Sequence, residues 1–260
     1  MANSPSGDSS IDRIVRVLET FTVDRTVQTP SEIGRRASLP SSTAHRLVDG
    51  LVAAGLLERD DAHRVRLGMR LWELALRGSP ALSLRQAALP HMERVQSRVR
   101  EHTQLAVLEQ DSALFIERLS HPEAGANITR IAGRLPLHAS SSGLVLLAFA
   151  SEDVLERVLA GPLTQAARET ITDAATLRRV LAEIRRVGFV VAPGSIEAVS
   201  TGVAVPVRSP GGEVIAALSV VLPRASPTEL AITELVRAAR GVRASLTPPL
   251  PVDRTAPSGC

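Results

Sequence analysis

Lysine and tyrosine are missing altogether from these 260 residues, cysteine occurs once, and aromatic side chains make up only 2% of the chain. The lone cysteine, Cys260, excludes an intrachain disulfide framework and a cysteine-based metal site. No apolar run approaches the roughly 18 residues that a membrane helix needs; Gly143 to Ala150 is the longest and falls under half of that. Met1 to Ser10 is small and polar, with no basic stretch leading into an apolar one, so no secretory signal is expected and a cytoplasmic location is. The chain also lacks a Walker-type phosphate loop, paired metal ligands and a G-x-S-x-G nucleophile elbow. Neither a cofactor nor a metal is expected.

With no lysine, all thirty basic residues are arginine; they face 27 acidic residues, a formal charge of +3. That is too small to announce a nucleic-acid partner by itself. Arginine suits phosphate and base recognition, but a GC-biased genome would give the same usage. At 44% hydrophobic and 22% charged the chain is globular, with length for two ordinary domains.

The pattern changes along the chain and predicts an α+β protein in parts. Residues 1–8 are expected as a disordered leader and 248–260, Pro-rich, as a disordered tail. A small domain at 9–78 would precede a linker helix at 79–102, where Leu84, Ala88, Met92, Val95 and Val99 recur three or four apart. A larger domain of mixed strands and helices would occupy 103–247.

The first part can be read almost turn by turn. Ile11, Ile14, Val15, Leu18 and Phe21 mark one face of a first helix. Thr29-Pro30-Ser31-Glu32 is a capping box with proline at the first helical position, and this short helix carries Arg35 and Arg36 near its end. A third helix runs from near Ser41 to Ala54 and stops at Gly55. Its buried stripe is Ala44, Leu47, Val48 and Leu51, which leaves Ser41, Ser42, His45, Arg46 and Asp49 outward. Leu56–Arg59 and Arg64–Leu67, flanking Asp60 to His63, form a plausible hairpin. Three helices and a hairpin make a winged helix-turn-helix. Its third helix would enter a major groove, and Arg59, His63, Arg64 and Arg66 would meet the flanking backbone or minor groove.

Residues 39–59, LPSSTAHRLVDGLVAAGLLER, resemble the recognition-helix signature of the IclR family of bacterial transcriptional regulators. Gly133 to Gly143 resembles that family's Pro-Leu-His segment. Val203 to Val207, Pro210-Gly211-Gly212 and Ala216 to Val220 resemble its C-terminal hairpin. The resemblance implies a winged helix-turn-helix, a linker helix and a C-terminal GAF-like effector-binding domain. It implies a homodimer or homotetramer on a double-stranded DNA operator, a small organic or aromatic carboxylate as effector, and control of a catabolic or metabolic operon, as repressor or activator. By position it places Ser42, Thr43, His45 and Arg46 in the DNA-reading segment; further DNA contacts are expected from Thr29, Arg35, Arg36, Ser41, Arg59, His63 and Arg64. Effector contacts are implied for Ile128, Ser141, Ser142, Gly202 and Ser219. Where the family usually has lysine and a second serine this chain has Leu144 and Val221, and of its acidic pair only Glu197 remains. A less polar ligand is expected.

Ser140 to Ser142 open an apolar helix, where exposed N–H groups and hydroxyls bind a carboxylate readily. Plain N-capping would need only one of them. Ser141, His138 and Glu197 hold the ingredients of a hydrolase triad, but closeness in sequence does not supply a base held by an orienting group. No enzyme activity is expected. A ligand-independent DNA-binding protein is a further alternative, opposed by the size of the second domain, whose two hairpins and flanking helices can enclose a pocket.

Overall fold

The computed structural model describes residues 9–124 and 131–246. It divides after Ser79 into two compact units; the expected leader and tail lie outside the described residues. The first unit holds α1 (Ser10–Glu19), α2 (Pro30–Arg36) and α3 (Ser41–Ala53), the strands β1 (Leu57–Arg59) and β2 (Val65–Leu67), and α4 (Met69–Leu76). The capping box forms at α2: Thr29 Oγ1 accepts from the Glu32 N–H, and the Glu32 carboxylate accepts from the Thr29 N–H in return. Those bonds hold the Glu32 carboxyl below the usual glutamate range. α2 and α3 cross closely because Gly34 has no side chain; a Cβ there would lie 2.9 Å from Ala44 Cβ.

β1 and β2 pair as an antiparallel hairpin. Asp60 closes its turn, accepting from the N–H groups of Arg64 and Ala62, and the Arg64 N–H does most to lower its pKa. Gln28 adds a bridge to the hairpin at Val65. Its buried amide also bonds Thr20 and Arg36, so it ties α1, α2 and the wing together. α1 differs from its expected stripe. Val17 is its fully buried residue, while Ile11 and Val15 are 71% and 44% exposed. The helix is apolar on two sides, and spacing alone does not say which side meets the core.

The second unit is a six-stranded antiparallel sheet between two helical layers. It is built from α5 (Pro80–Val99), β3 (His102–Glu109), β4 (Ser112–Leu119), β5 (Arg134–Pro136), α6 (Ser141–Ala148), α7 (Glu152–Ala160), α8 (Ala174–Val187), β6 (Val190–Pro193), β7 (Ser200–Arg208), β8 (Val214–Pro223) and α9 (Glu229–Ser245). The strand order is β5-β4-β3-β8-β7-β6. Strand alternation sends Leu105, Val203, Val205 and Leu218 towards α5 and α9, and Ala106, Phe115, Ala204 and Ala217 towards α6 and α8.

The segment expected as a separate linker is therefore part of this unit's core. Leu84, Met92 and Val95 are buried against α9 and the sheet, and do not supply free surface for a second copy. Two buried carboxylates hold the helix in place: Glu117 of β4 meets Arg85 at 2.6 Å, and Glu234 of α9 meets Arg98 at 2.9 Å. Ser226-Pro227-Thr228-Glu229 has the sequence of a capping box, but the box does not form. The N-cap of α9 is Thr228, without a side-chain cap bond.

Candidate nucleic-acid interface and ligand pocket

α3 presents Ser41, Ser42, His45 and Arg46 to solvent and Thr43 at its edge, while Ala44, Val48 and Leu51 are buried. Leu47, read into the same stripe, is half-buried. Neither His45 nor Arg46 has a hydrogen bond or ion pair among the described residues, so both keep their full capacity for a partner outside the chain. The other expected contacts divide. Arg35 is exposed. Arg36 donates to the Gln28 amide oxygen at 2.6 Å, and the Thr29 hydroxyl donates to Glu32. Arg59 is paired with Asp49 of α3 at 2.6 Å, and Arg64 with Asp60 at 2.9 Å. Those two arginines also brace the wing. His63 sits at the hairpin turn with φ of 57°, exposed at its tip.

In the second unit a cavity of about 420 Å³, its open mouth included, lies between the start of α6 and the sheet. Only about 40 Å³ of it is open to the centre of a water-sized sphere. Ser140, Ser141 and Ser142 line one side, and Gln104, Phe115, Gly202 and Val221 of the sheet line the other; Ser195, Ile196, Glu197 and Ser200 form a wall beyond β6. Ser140 is the N-cap, its hydroxyl accepting from the Gly143 N–H at 3.1 Å. The opening N–H groups of α6 have no carbonyl within the helix to receive them, and with the helix dipole they favour an anion. The wall is anchored from two directions: Ser195 Oγ donates to the Ala139 carbonyl, and Thr170 Oγ1 donates to the Ser195 carbonyl, both at 2.6 Å.

Of the expected effector residues, Ser141, Ser142 and Gly202 come together at this cavity. Gly202 is there for space: a Cβ would fall 2.5 Å from Ser141 Oγ and 3.0 Å from its Cβ. Ser219 stands behind the wall rather than on it, fully buried, with Ser142 Oγ donating to it at 2.8 Å. Ile128 lies outside the described residues. Leu144 is packed into the core beneath α6, so of the two apolar replacements only Val221 borders the cavity. His138 Nε2 is 3.0 Å from the Thr164 carbonyl oxygen. A ring nitrogen donating there is no base for Ser141, and the triad is not assembled.

Sequence reading missed Gln104, Phe115 and Ser195. Gln104 had a signal: a polar residue between Leu105 and Thr103 in a strand otherwise apolar enough for the interior. The role of Ser195 depends on tertiary contacts to segments 56 and 25 residues away and leaves no local pattern.

Two family models cover most of the chain. The IclR helix-turn-helix domain matches residues 10–61, and the bacterial transcriptional regulator IclR C-terminal domain matches 80–245. The chain is 30% identical over 218 residues to the HTH-type transcriptional regulator XynR of Escherichia coli, covering 81% of this chain and 84% of that one. It is 27% identical over 219 residues to the Pca regulon regulatory protein of Pseudomonas putida, covering 83% and 75%. Among solved structures, an IclR homologue from Microbacterium hydrocarbonoxydans complexed with 4-hydroxybenzoate shares 63% identity at a TM-score of 0.88, covering 92% of this chain and 99% of that one. These relatives are regulators rather than enzymes. No helix among the described residues is long and apolar enough to cross a membrane. With a winged helix-turn-helix at one end and an α+β domain at the other, both matched in order, the chain belongs to the IclR family of bacterial transcriptional regulators.

Proposed function

We propose that this regulator reads its operator with α3 and responds to a small aromatic carboxylate bound between α6 and the sheet, controlling a catabolic or metabolic operon as a repressor. The observation that carries the reading is the cavity itself: an anion-favouring helix start faces apolar Phe115 and Val221 across a small, partly open cleft. The 4-hydroxybenzoate in the Microbacterium homologue supports the same class. Binding shifts operator affinity only if the ligand favours one arrangement of the protein over another. Operator affinity measured by fluorescence anisotropy should therefore change in the presence of benzoate or 4-hydroxybenzoate, and not with benzylamine. A response to the amine alone, or to none of the three, contradicts the reading and favours a ligand-independent DNA-binding protein.

The second part of the proposal is assembly as a dimer, or a dimer of dimers, on the DNA. One winged helix covers a half-site, and a second copy supplies the other through effective concentration. Exposed apolar side chains for it are found on α1 and α4. Ile11 and Val15 on α1, and Met69, Trp72, Leu74 and Leu76 on α4, are all at least 42% exposed, and α4 buries none of its residues. An exposed apolar helix face such as that of α4 suits an interaction site. The emission of Trp72, the only tryptophan, should shift to the blue as concentration rises through the dimerisation range. Trp72→Glu should sediment as a smaller species and bind operator at least about tenfold more weakly. Unchanged sedimentation and affinity in Trp72→Glu would place the dimer contact elsewhere.

A further inference from the structure

The sheet face under α6 is apolar along Ala106, Ala204 and Ala217 and turns polar in the next row, where the strand register sets Gln104 directly beside Ser219. Three side chains there form a directed relay. Ser142 Oγ donates to Ser219 Oγ at 2.8 Å, and Ser219 Oγ donates to Gln104 Oε1 at 3.4 Å. All three are interior, with Gln104 only 2% exposed. Because the last hydroxyl spends its proton on the amide oxygen, that oxygen is held against Ser219. The amide nitrogen must then turn the other way, and Gln104 is one of the residues that line the cavity. Nε2 has no acceptor among the described residues. A buried amide N–H without an acceptor is destabilising, and native interiors rarely leave one. An acceptor carried by a molecule in the cavity would satisfy it.

We propose that Gln104 is a specificity-determining residue for the effector: its Nε2 donates to an oxygen acceptor on a small organic anion, and the Ser142–Ser219 pair holds the amide in that orientation. The proposal rests on the cavity being the effector site. It gives the pocket a rule that the helix start alone does not. A ligand presenting an N–H at this point meets a donor with a donor, while the amide oxygen that could accept it is occupied behind the wall. Sites that hydrogen-bond a particular group reject analogues lacking it, because the buried partner is left unpaired. The acceptor is either the carboxylate or an oxygen on the ring, and the probes below tell these apart.

The test is calorimetric titration of the full chain with benzoate, 4-hydroxybenzoate and benzamidine, the last replacing the acceptor with N–H donors on a similar ring. Wild type should bind at least one benzoate and not benzamidine. Gln104→Leu should weaken benzoate binding roughly ten- to a hundredfold, the loss of a hydrogen bond to a charged group. A loss for both acids identifies the carboxylate as the acceptor, and a loss confined to 4-hydroxybenzoate identifies the ring oxygen. Gln104→Glu keeps the shape but presents acceptors only; it should lose the benzoates and gain benzamidine, an inversion that a merely structural role would not produce. It also carries the test if Gln104→Leu does not fold. Gly202→Leu, which fills the space beside Ser141, is the control for the pocket. If Gln104→Leu and Gln104→Glu bind as wild type while Gly202→Leu does not, the inference falls and the pocket stands. If Gly202→Leu also binds as wild type, or wild type binds neither acid, the pocket reading falls and takes the inference with it.

Discussion

Arg46→Ala is expected to weaken operator binding by roughly 1–3 kcal/mol at each half-site if the guanidinium reads a base edge, and twice over in a symmetric dimer. The side chain is exposed on α3, one position past His45 and clear of the Ala44, Val48 and Leu51 stripe. Unlike Arg59 and Arg64, which are engaged by Asp49 and Asp60, it loses no intramolecular bond when it meets DNA. Its truncation should leave the fold untouched for the same reason. A base contact and a phosphate contact separate cleanly in salt. The first reduces discrimination between the operator and a scrambled duplex, and the second weakens both about equally and lowers the salt slope by about one counterion. Anisotropy on the two duplexes at several salt concentrations measures both. A folded Arg46→Ala dimer with wild-type operator affinity would remove α3 from its role as the reading helix.

The difference between those arginines also shows where sequence reading reaches and where it stops. The helix-turn-helix was legible because its signals are local. The α2 capping box, Gly55 with its φ of 73° just past α3, and the four-residue turn of the wing each act within a few positions. That Arg59 and Arg64 are paired could not be read, because it depends on where α3 and the hairpin turn place two carboxylates. The same limit governs the second unit. The apolar recurrence of Leu84, Ala88, Met92 and Val95 identifies a buried helix face, but the periodicity is blind to whether its own sheet or a second copy covers it. Ser141 and Ser142 could be placed at a helix start from their neighbours. Ser219 could be placed in a strand, but a one-residue step in depth decides whether it touches a ligand or supports Gln104 from behind, and that step is set by packing.

Gly143→Ala is expected to destabilise the second unit by about 1–3 kcal/mol and to abolish the benzoate response proposed for it. Helix propensity argues the opposite way, since alanine is favoured over glycine within a helix by about 1 kcal/mol. The geometry decides against it. A Cβ at position 143 would stand 2.7 Å from the Cα and the carbonyl oxygen of Leu137, and as close to Ser140 Oγ. Two of those three atoms are backbone, so no change of rotamer relieves the clash, and α6 has to move off the turn that precedes it. It has no free direction in which to move, because every residue of α6 is buried. Displacing it also shifts the N-cap bond from the Gly143 N–H to Ser140 Oγ and carries Ser141 and Ser142 out of register with Gly202 and Ser219. Stability and ligand response should therefore fail together, while the first unit, with its separate core, keeps its fold. Calorimetry on Gly143→Ala should show a lowered transition for the second unit, and titration should show no heat with benzoate or 4-hydroxybenzoate. A variant of unchanged or raised stability that still answers the ligand would mean that α6 is not seated on the Leu137 turn, and that the pocket does not depend on that close approach.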